Sequence, residues 1–144
     1  MKHLPFKTAL LMAVLVAFSR AAVADPPVVT LNGITAVNAS PTTFSAGNAT
    51  SVDVSVASAA GGAYTVLLET RFADATGFPW VLAATFANCD ASGIGTVTPV
   101  GGSPTSSVPC VAYTLTPSTL MRLRCSARSS GTIYGAFHAN RNKP

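Results

Sequence analysis

Short runs in which apolar and polar residues alternate dominate the sequence beyond residue 24. In the run Ser51–Ser58, valine stands at every second position (Val52, Val54 and Val56), and a serine or an aspartate precedes each valine. A side-chain period of two is typical of a β-strand with one buried face. No segment in this part of the chain repeats apolar residues at intervals of three and four over several turns. The sequence therefore favours β-strands over helices.

Eight such runs, separated by turns rich in Gly, Pro, Ser and Asn, predict an all-β fold. The expected architecture is an antiparallel β-sandwich of about seven to eight strands. Residues 25–144 form one predicted domain, because this length matches the commonest domain size of about 100–150 residues. The predicted strands cover residues 28–37, 51–58, 64–72, 80–86, 94–98, 111–115, 120–128 and 132–139.

The last two predicted strands favour a β-hairpin with a definite register. A three-residue loop pairs Leu123 with Phe137 and keeps the apolar residues of both strands on one face, whereas a two-residue loop would turn His138 inward. The longer loop also places Gly131 at the left-handed position that this loop length usually requires. The same alternation predicts one core that contains Trp80, Phe86, Leu123 and Phe137.

The first 24 residues have the pattern of a secretory signal peptide. Lys2 and Lys7 give the segment a positively charged start, and an apolar stretch follows at 9–18. The segment 22–24 is a small-x-small cleavage site. The apolar stretch is about half the roughly 20 residues that cross a bilayer, so no transmembrane segment is expected. The sequence predicts a signal peptide at 1–24 and a secreted or periplasmic protein.

Removal of the signal peptide leaves six basic residues against five acidic ones. This near-neutral balance gives no support for a nucleic-acid partner. The charges are nevertheless unevenly placed, because all the acidic residues lie at or before Asp90 and five of the six basic residues follow it. The functional interpretation of the cluster is a surface for an anionic envelope polymer or an acidic protein partner, but a solvated strand that its charges protect from edge pairing is the favoured explanation. The candidate binding face consists of Arg122, Arg124, Arg128, Tyr134 and His138.

Three cysteines in an oxidising compartment predict one disulfide and one unpaired thiol. Chain entropy does not select the pair, because every possible loop gives roughly 3 to 4 kcal/mol. Strand phase favours a bridge between Cys89 and Cys110, which fall outside the apolar rows at strand ends. Cys125 lies in an inward row, where a free cysteine behaves as a small apolar residue. Pairings through Cys125, including an intermolecular one, stay open as alternatives.

The remaining residues give little support for catalysis. His138 is the only histidine after the signal peptide, which excludes a zinc site with several histidines. The predicted register sends Cys125 and His138 to opposite faces, so a Cys–His pair is not expected. The carboxylates are scattered, and neither a phosphate-binding glycine motif nor a nucleophile elbow is present. The sequence predicts a protein that is not an enzyme and has no cofactor.

The stretch Gly33–Ala57, GITAVNASPTTFSAGNATSVDVSVA, resembles the opening of bacterial immunoglobulin-like modules of surface and secreted proteins. In both, a proline, a glycine-containing turn and an alternating valine strand follow one another. The antibody-type pattern is absent, since no cysteine lies in 51–58 to pair with Cys125 and Leu123 stands where a tyrosine corner needs Tyr. The resemblance implies an immunoglobulin-like sandwich used for structure or binding, and it assigns no site residues.

Two functions agree with these observations. The first is an exported, noncatalytic structural or binding module of the cell envelope or the extracellular space. The second is a secreted inhibitor or effector-like protein that engages a protein partner through the loop 74–80. The candidate residues of that loop are Phe78, Pro79 and Trp80.

Overall fold

The computed structural model describes residues 23–24, 26–37, 41–59, 62–72, 77–114 and 119–141. Within these ranges the chain forms antiparallel strands and turns and no helix, which confirms the predicted all-β class. The strands are β1 (Val23–Ala24), β2 (Val28–Ile34), β3 (Phe44–Ser45), β4 (Ser51–Ser58), β5 (Tyr64–Phe72), β6 (Val81–Ala87), β7 (Ile94–Pro99), β8 (Thr105–Pro109), β9 (Val111–Thr114), β10 (Thr119–Arg128) and β11 (Ile133–Arg141).

These strands form two antiparallel sheets. In the first sheet, β11 pairs with β4 on one side and with β1 and β2 on the other, and β9 lies beyond β4. In the second sheet the order is β3-β10-β5-β6-β7-β8. The two sheets face each other across one apolar core. Three strands were not predicted: β1 and β3 are only two residues long, and β8 is a polar strand within the expected loop after β7.

Most of the predicted signal peptide, residues 1–22, lies outside the described residues. Val23 and Ala24 form β1, which pairs with the end of β11 and precedes the predicted cleavage position. Nothing in the described ranges is a helix with the length and hydropathy needed to span a membrane.

The predicted hairpin between the last two strands is wrong, although the predicted inward phases of both strands are confirmed. β10 pairs with β3 and β5 in the second sheet, whereas β11 pairs with β2 and β4 in the first. Leu123 and Phe137 are both fully buried, but they approach from opposite sheets. Gly131 adopts a positive φ of 89° in the connection, as the left-handed position required. Alternation defines the buried face of a strand, and it does not reveal whether two strands pair or face each other.

The core is filled by the alternating positions of both sheets. Phe44 stacks on Phe137 with ring centroids 4.8 Å apart, which joins a short edge strand of the second sheet to the centre of the first. Gly135 lies beneath Leu123, and a Cβ at this position would be 2.6 Å from Leu123 Cδ1. The largest side chains with almost no exposure are Phe86, Phe137, Leu31, Leu68, Met121, Leu123 and Ile133.

Trp80 does not belong to the core, so this part of the core prediction is wrong. Leu68 of β5 pairs with Ala84, but Glu69 pairs with Leu82, and β6 therefore carries one extra residue at this point. A bulge of this kind reverses the alternation of a strand. Trp80 and Leu82 thus turn to the outer face, and Trp80 is half-buried against arginine side chains instead of apolar ones.

The predicted disulfide between Cys89 and Cys110 is confirmed, and Cys125 is free and buried. Cys110 lies between β8 and β9, where the chain passes from the second sheet to the first. Its backbone N–H donates to Gly93 O at 2.6 Å, and its carbonyl accepts from Val56 N at 3.1 Å. The bridge therefore fixes the crossing between the two sheets.

Candidate binding surface

Five side chains meet on the outer face of the second sheet, and we call them the arginine–tryptophan cluster. β5 and β10 are neighbours, and Arg122 lies directly opposite Glu69 in their register. The alternation that buries Leu68 and Leu123 turns these two residues outward. The cluster consists of Glu69, Arg71, Trp80, Arg122 and Arg124.

Glu69 is the acidic centre of the cluster and is only 6% exposed. Arg122 Nε donates to Glu69 Oε2 at 2.6 Å, and Arg124 donates to Oε1 through Nη2 at 2.7 Å and through Nε at 3.1 Å. Burial raises the pKa of Glu69, but the hydrogen bonds from Arg124 and Arg122 together lower the pKa by more than burial raises it. The pKa of Glu69 therefore lies below its ordinary value. The carboxylate is thus held in its charged form by two cations.

Two guanidinium groups lie over the ring of Trp80. The Cζ of Arg122 is 4.2 Å from the ring centroid, and that of Arg71 is 4.8 Å from it. Contacts of this geometry contribute about 0.5 to 2 kcal/mol, with the larger values in desolvated sites. The stacking limits the rotamers of Arg71. Because the chain contains one tryptophan, the emission of Trp80 reports directly on this cluster.

An apolar cleft of about 250 Å³ adjoins the cluster at the end of the second sheet. Phe72, Phe78 and Val81 are 66%, 61% and 58% exposed, which is unusual for three large apolar side chains that line one cleft. Arg71 belongs both to the cleft and to the arginine–tryptophan cluster. The cleft is lined by Thr70, Arg71, Phe72, Phe78, Pro79, Val81 and Thr119.

Two buried polar atoms on the cleft residues lack partners. Within the described ranges, Arg71 Nε and Thr119 Oγ1 are both buried and neither has a hydrogen-bond partner. Thr119 is only 4% exposed and is paired with Phe72 in the register of β10 and β5. Side-chain oxygens of Thr30, Asp53 and Ser58, which do not line the cleft, share this property, so it does not by itself distinguish the cleft.

The predicted binding face is divided between the two sheets. Arg122 and Arg124 lie on the outer face of the second sheet, whereas Tyr134 and His138 belong to β11 of the first. Arg128 serves a structural role: its Nε donates to Gly131 O and its Nη1 to Thr35 O, both at 2.7 Å. The division follows from the placement of β10 and β11 in different sheets.

The predicted loop residues are close to both features. Phe78 and Pro79 line the apolar cleft, and Trp80 belongs to the cluster. Residues 74–76 of the predicted loop lie outside the described residues. Sequence reasoning missed Val81 and Thr119 as cleft residues because neither stands out from its strand. Glu69 and Arg71 did carry a signal, since the alternation of 64–72 turns both outward.

Other reactive groups are separated from one another. Cys125 is fully buried beneath the second sheet, and burial raises the pKa of its thiol. His138 lies opposite Asp53 in the first sheet, so Cys125 and His138 do not meet. Burial raises the pKa of Tyr64 to about 12, and its hydroxyl donates to Cys89 O at 2.5 Å. Among the described residues, no group of three or more His, Cys, Asp or Glu side chains has an arrangement that could hold a metal ion.

Comparison with known proteins gives no relative for this chain: no family model, no curated protein and no solved structure matches it.

Proposed function

We propose that this protein is an exported, noncatalytic binding module that engages a partner protein through the apolar cleft. The observation that carries the proposal is the exposure of Phe72, Phe78 and Val81 around one cleft. Contiguous exposed apolar surface beside polar groups is typical of protein interaction sites. A buried apolar anchor of the partner would cover these side chains.

The charge beside the cleft favours an acidic partner. Among its described members, the arginine–tryptophan cluster contains three arginines and one carboxylate, and that carboxylate is bound to Arg122 and Arg124. Arg71 lines the cleft and also contacts the Trp80 ring, so its positive charge lies beside the cleft. Complementary charge around an apolar contact raises the association rate and selects among partners. We therefore still propose an anionic partner, as expected from the sequence, but we place its contact surface at the cleft and not on β10 and β11.

A noncatalytic role is supported by how the reactive groups are held. Glu69 is fixed as a carboxylate between two guanidinium groups, which is unsuited to proton transfer near neutral pH. The raised pKa of Cys125 and its burial oppose thiolate formation and access.

Export and an immunoglobulin-like fold belong to the same proposal. A buried disulfide supports an oxidising compartment, either the periplasm or the exterior. Two antiparallel sheets packed face to face support an immunoglobulin-like sandwich. The pairing of β11 with β4 differs from the usual arrangement, in which the final strand lies beside the penultimate one.

Selection from a phage-displayed random peptide library tests the binding proposal. Peptides selected on residues 25–144 would be titrated against the same chain, with Trp80 emission as the readout. Val81→Ser should weaken binding at least tenfold, because it removes an apolar wall of the cleft. Val100→Ser is a matched control, since Val100 is 59% exposed and does not line the cleft. Peptides that bind both variants like the unchanged chain would show that the cleft is not the binding surface.

A secreted inhibitor or effector-like protein remains the second candidate. It is favoured by the exposure of Phe78 at the cleft, because an exposed apolar side chain can be inserted into the site of an enzyme. The distinction lies in the partner. If the partner is an enzyme, adding the unchanged protein should reduce that enzyme's activity. The Phe78→Ser variant should leave the activity unchanged, and this pair of results would support inhibition.

A further inference from the structure

We propose that Asn32 is a site of spontaneous covalent modification, at which the side-chain amide is converted to a carboxylate while the protein is folded. The site lies on the first sheet, so the proposal is independent of the cleft on the second. Asn32 precedes Gly33, and this is the only Asn–Gly pair in the sequence. Deamidation of asparagine is fastest before glycine, because glycine has no side chain to hinder the reaction.

The reaction joins the side chain of Asn32 to the backbone of Gly33. The Gly33 nitrogen loses its proton and attacks Cγ of Asn32, so that an N–Cγ bond forms and the side-chain nitrogen leaves as ammonia. Water then opens the cyclic imide at either carbonyl, which gives aspartate or isoaspartate at position 32. The overall reaction consumes water and releases ammonia, so it requires no enzyme, oxidant or cofactor.

The Asn32–Gly33 peptide lies at an irregularity in the pairing of β2 with β11. Two residues of β2, Asn32 and Gly33, stand between the paired positions Leu31 and Ile34, whereas β11 has only Tyr134 between their partners. Two residues opposite one define a β-bulge, where the regular ladder is locally disrupted. The backbone at Asn32 can therefore rotate toward the reactive geometry with less loss of pairing than in a regular strand.

The surroundings of this peptide are open. Asn32 is exposed, and Gly33 adopts a φ of 65°. Within the described ranges β2 pairs only with β11, so its other edge faces no described strand. Even a Cβ built on Gly33 would have no close neighbour, since the nearest atom is Thr132 Cγ2 at 3.7 Å. The peptide is thus accessible to water and is not crowded by packed side chains.

The other described asparagines lack this combination. Asn48 is exposed, but the residue after it is Ala49. The Asn88 side chain accepts a hydrogen bond from a backbone N–H of β5 at 3.1 Å, and Asn140 donates to two side chains of β4 at 3.2 Å each. These bonds restrain both amides, and neither residue precedes a glycine. Asn32 should therefore be the most reactive of the four.

Conversion would change the charge of the protein. Removal of the predicted signal peptide leaves six basic and five acidic residues, so one additional carboxylate balances the two. The new charge would lie in a surface depression that Asn32 shares with Val29 and Tyr134, which are 53% and 40% exposed. A chain without net charge associates more readily, so we expect the modified protein to be less soluble.

Incubation of the purified exported protein at neutral pH and physiological temperature tests the proposal. Samples taken over several weeks would be digested at acid pH, and the peptide around each asparagine would be followed by mass spectrometry. We expect conversion at Asn32 to be at least several-fold faster than at Asn48, with isoaspartate among the products. Mildly alkaline pH should accelerate it, because the Gly33 nitrogen must lose its proton.

Variants assign the reaction to the two residues. Asn32→Gln should abolish conversion at this position, because the longer side chain closes a ring far more slowly. Gly33→Asp should slow it, since the added side chain hinders the attack and aspartate tolerates a positive φ better than most residues. Asn48→Gln is the matched control and should leave the rate at Asn32 unchanged. Thermal melts would verify that each variant is folded.

The unfolded chain supplies the reference rate. In guanidinium chloride the Asn–Gly pair reacts without restraint from the sheet. A folded rate within about tenfold of this reference would support an open site, because a larger reduction means that the fold must first open locally. A larger reduction, or equal rates at Asn32 and Asn48 in the folded protein, would overturn the proposal and show that the bulge protects the amide.

Discussion

Replacing Gly135 with alanine tests the packing of the two sheets against each other. The added Cβ would lie 2.6 Å from Leu123 Cδ1 and 3.2 Å from Leu31 Cδ1, both closer than an ordinary contact between carbon atoms. Both leucines are about 99–100% buried, so neither side chain can move into solvent. Overpacking of a filled core costs about 1 to 3 kcal/mol, and we expect Gly135→Ala to lie in this range.

A second substitution makes the test specific to one contact. Leu123→Val shortens the side chain that Gly135→Ala would strike, and by itself it should cost on the order of 1 kcal/mol. The double variant should lose less unfolding free energy than the two single variants added together, by at least about 0.5 kcal/mol, because the two side chains occupy the same space. Gly102→Ala is the control: its nearest atoms are 3.4 Å or more away and its φ is not positive.

Urea denaturation followed by Trp80 emission and by circular dichroism would supply the free energies. The domain is small enough for two-state unfolding, and agreement of the two signals would verify it. Additive losses for the double variant would show that Leu123 and Gly135 do not face each other. A loss of under about 0.5 kcal/mol for Gly135→Ala would mean that the core has room at this position.

The remaining predictions concern the core, the acidic centre and the covalent state. Phe137→Ala should cost about 3 to 5 kcal/mol in a urea titration, whereas less than about 1 kcal/mol would place Phe137 outside the centre of the core. Folding lowers the pKa of Glu69, so the ionised carboxylate should stabilise the protein above pH 4.5, and this stabilisation should be lost as pH falls through the folded pKa. In thermal melts at decreasing pH, the melting temperature of Glu69→Gln should therefore fall less than that of the unchanged protein. Alkylation without reduction should modify Cys125 alone and only after unfolding, and modification of the native chain would contradict its burial. N-terminal sequencing of the exported protein should find Asp25 as the first residue, because cleavage is predicted after Ala24. An uncleaved N-terminus would contradict the predicted signal peptide.

The alternation of apolar residues was sufficient to predict the strands and most of the core. Every second residue in β4 is buried as expected, and the inward rows of β10 and β11 are confirmed. Strand pairing was not available from the same pattern, because a row of buried residues is required whether two strands are neighbours in a sheet or face each other across the core. The hairpin prediction failed for this reason.

Single-residue irregularities account for the errors at the candidate site. The extra residue in β6 turns Trp80 outward, and no feature of the local sequence marks that bulge. Thr119 was equally unpredictable as a cleft residue, because its phase is that of an ordinary inward position of β10. The disulfide was predicted correctly because it depends only on which cysteines lie outside the apolar rows.

The arginines that drew attention in the sequence have different roles in the structure. Arg128 supports the connection between the sheets, and Arg122 and Arg124 bind Glu69. Their charges are committed within the protein, so a count of basic residues overstates the charge that a partner would meet. Arg71 did not belong to the predicted face, yet it contacts the Trp80 ring and also lines the apolar cleft. Of the three arginines in the cluster, Arg71 is therefore the one whose charge is not offset by Glu69.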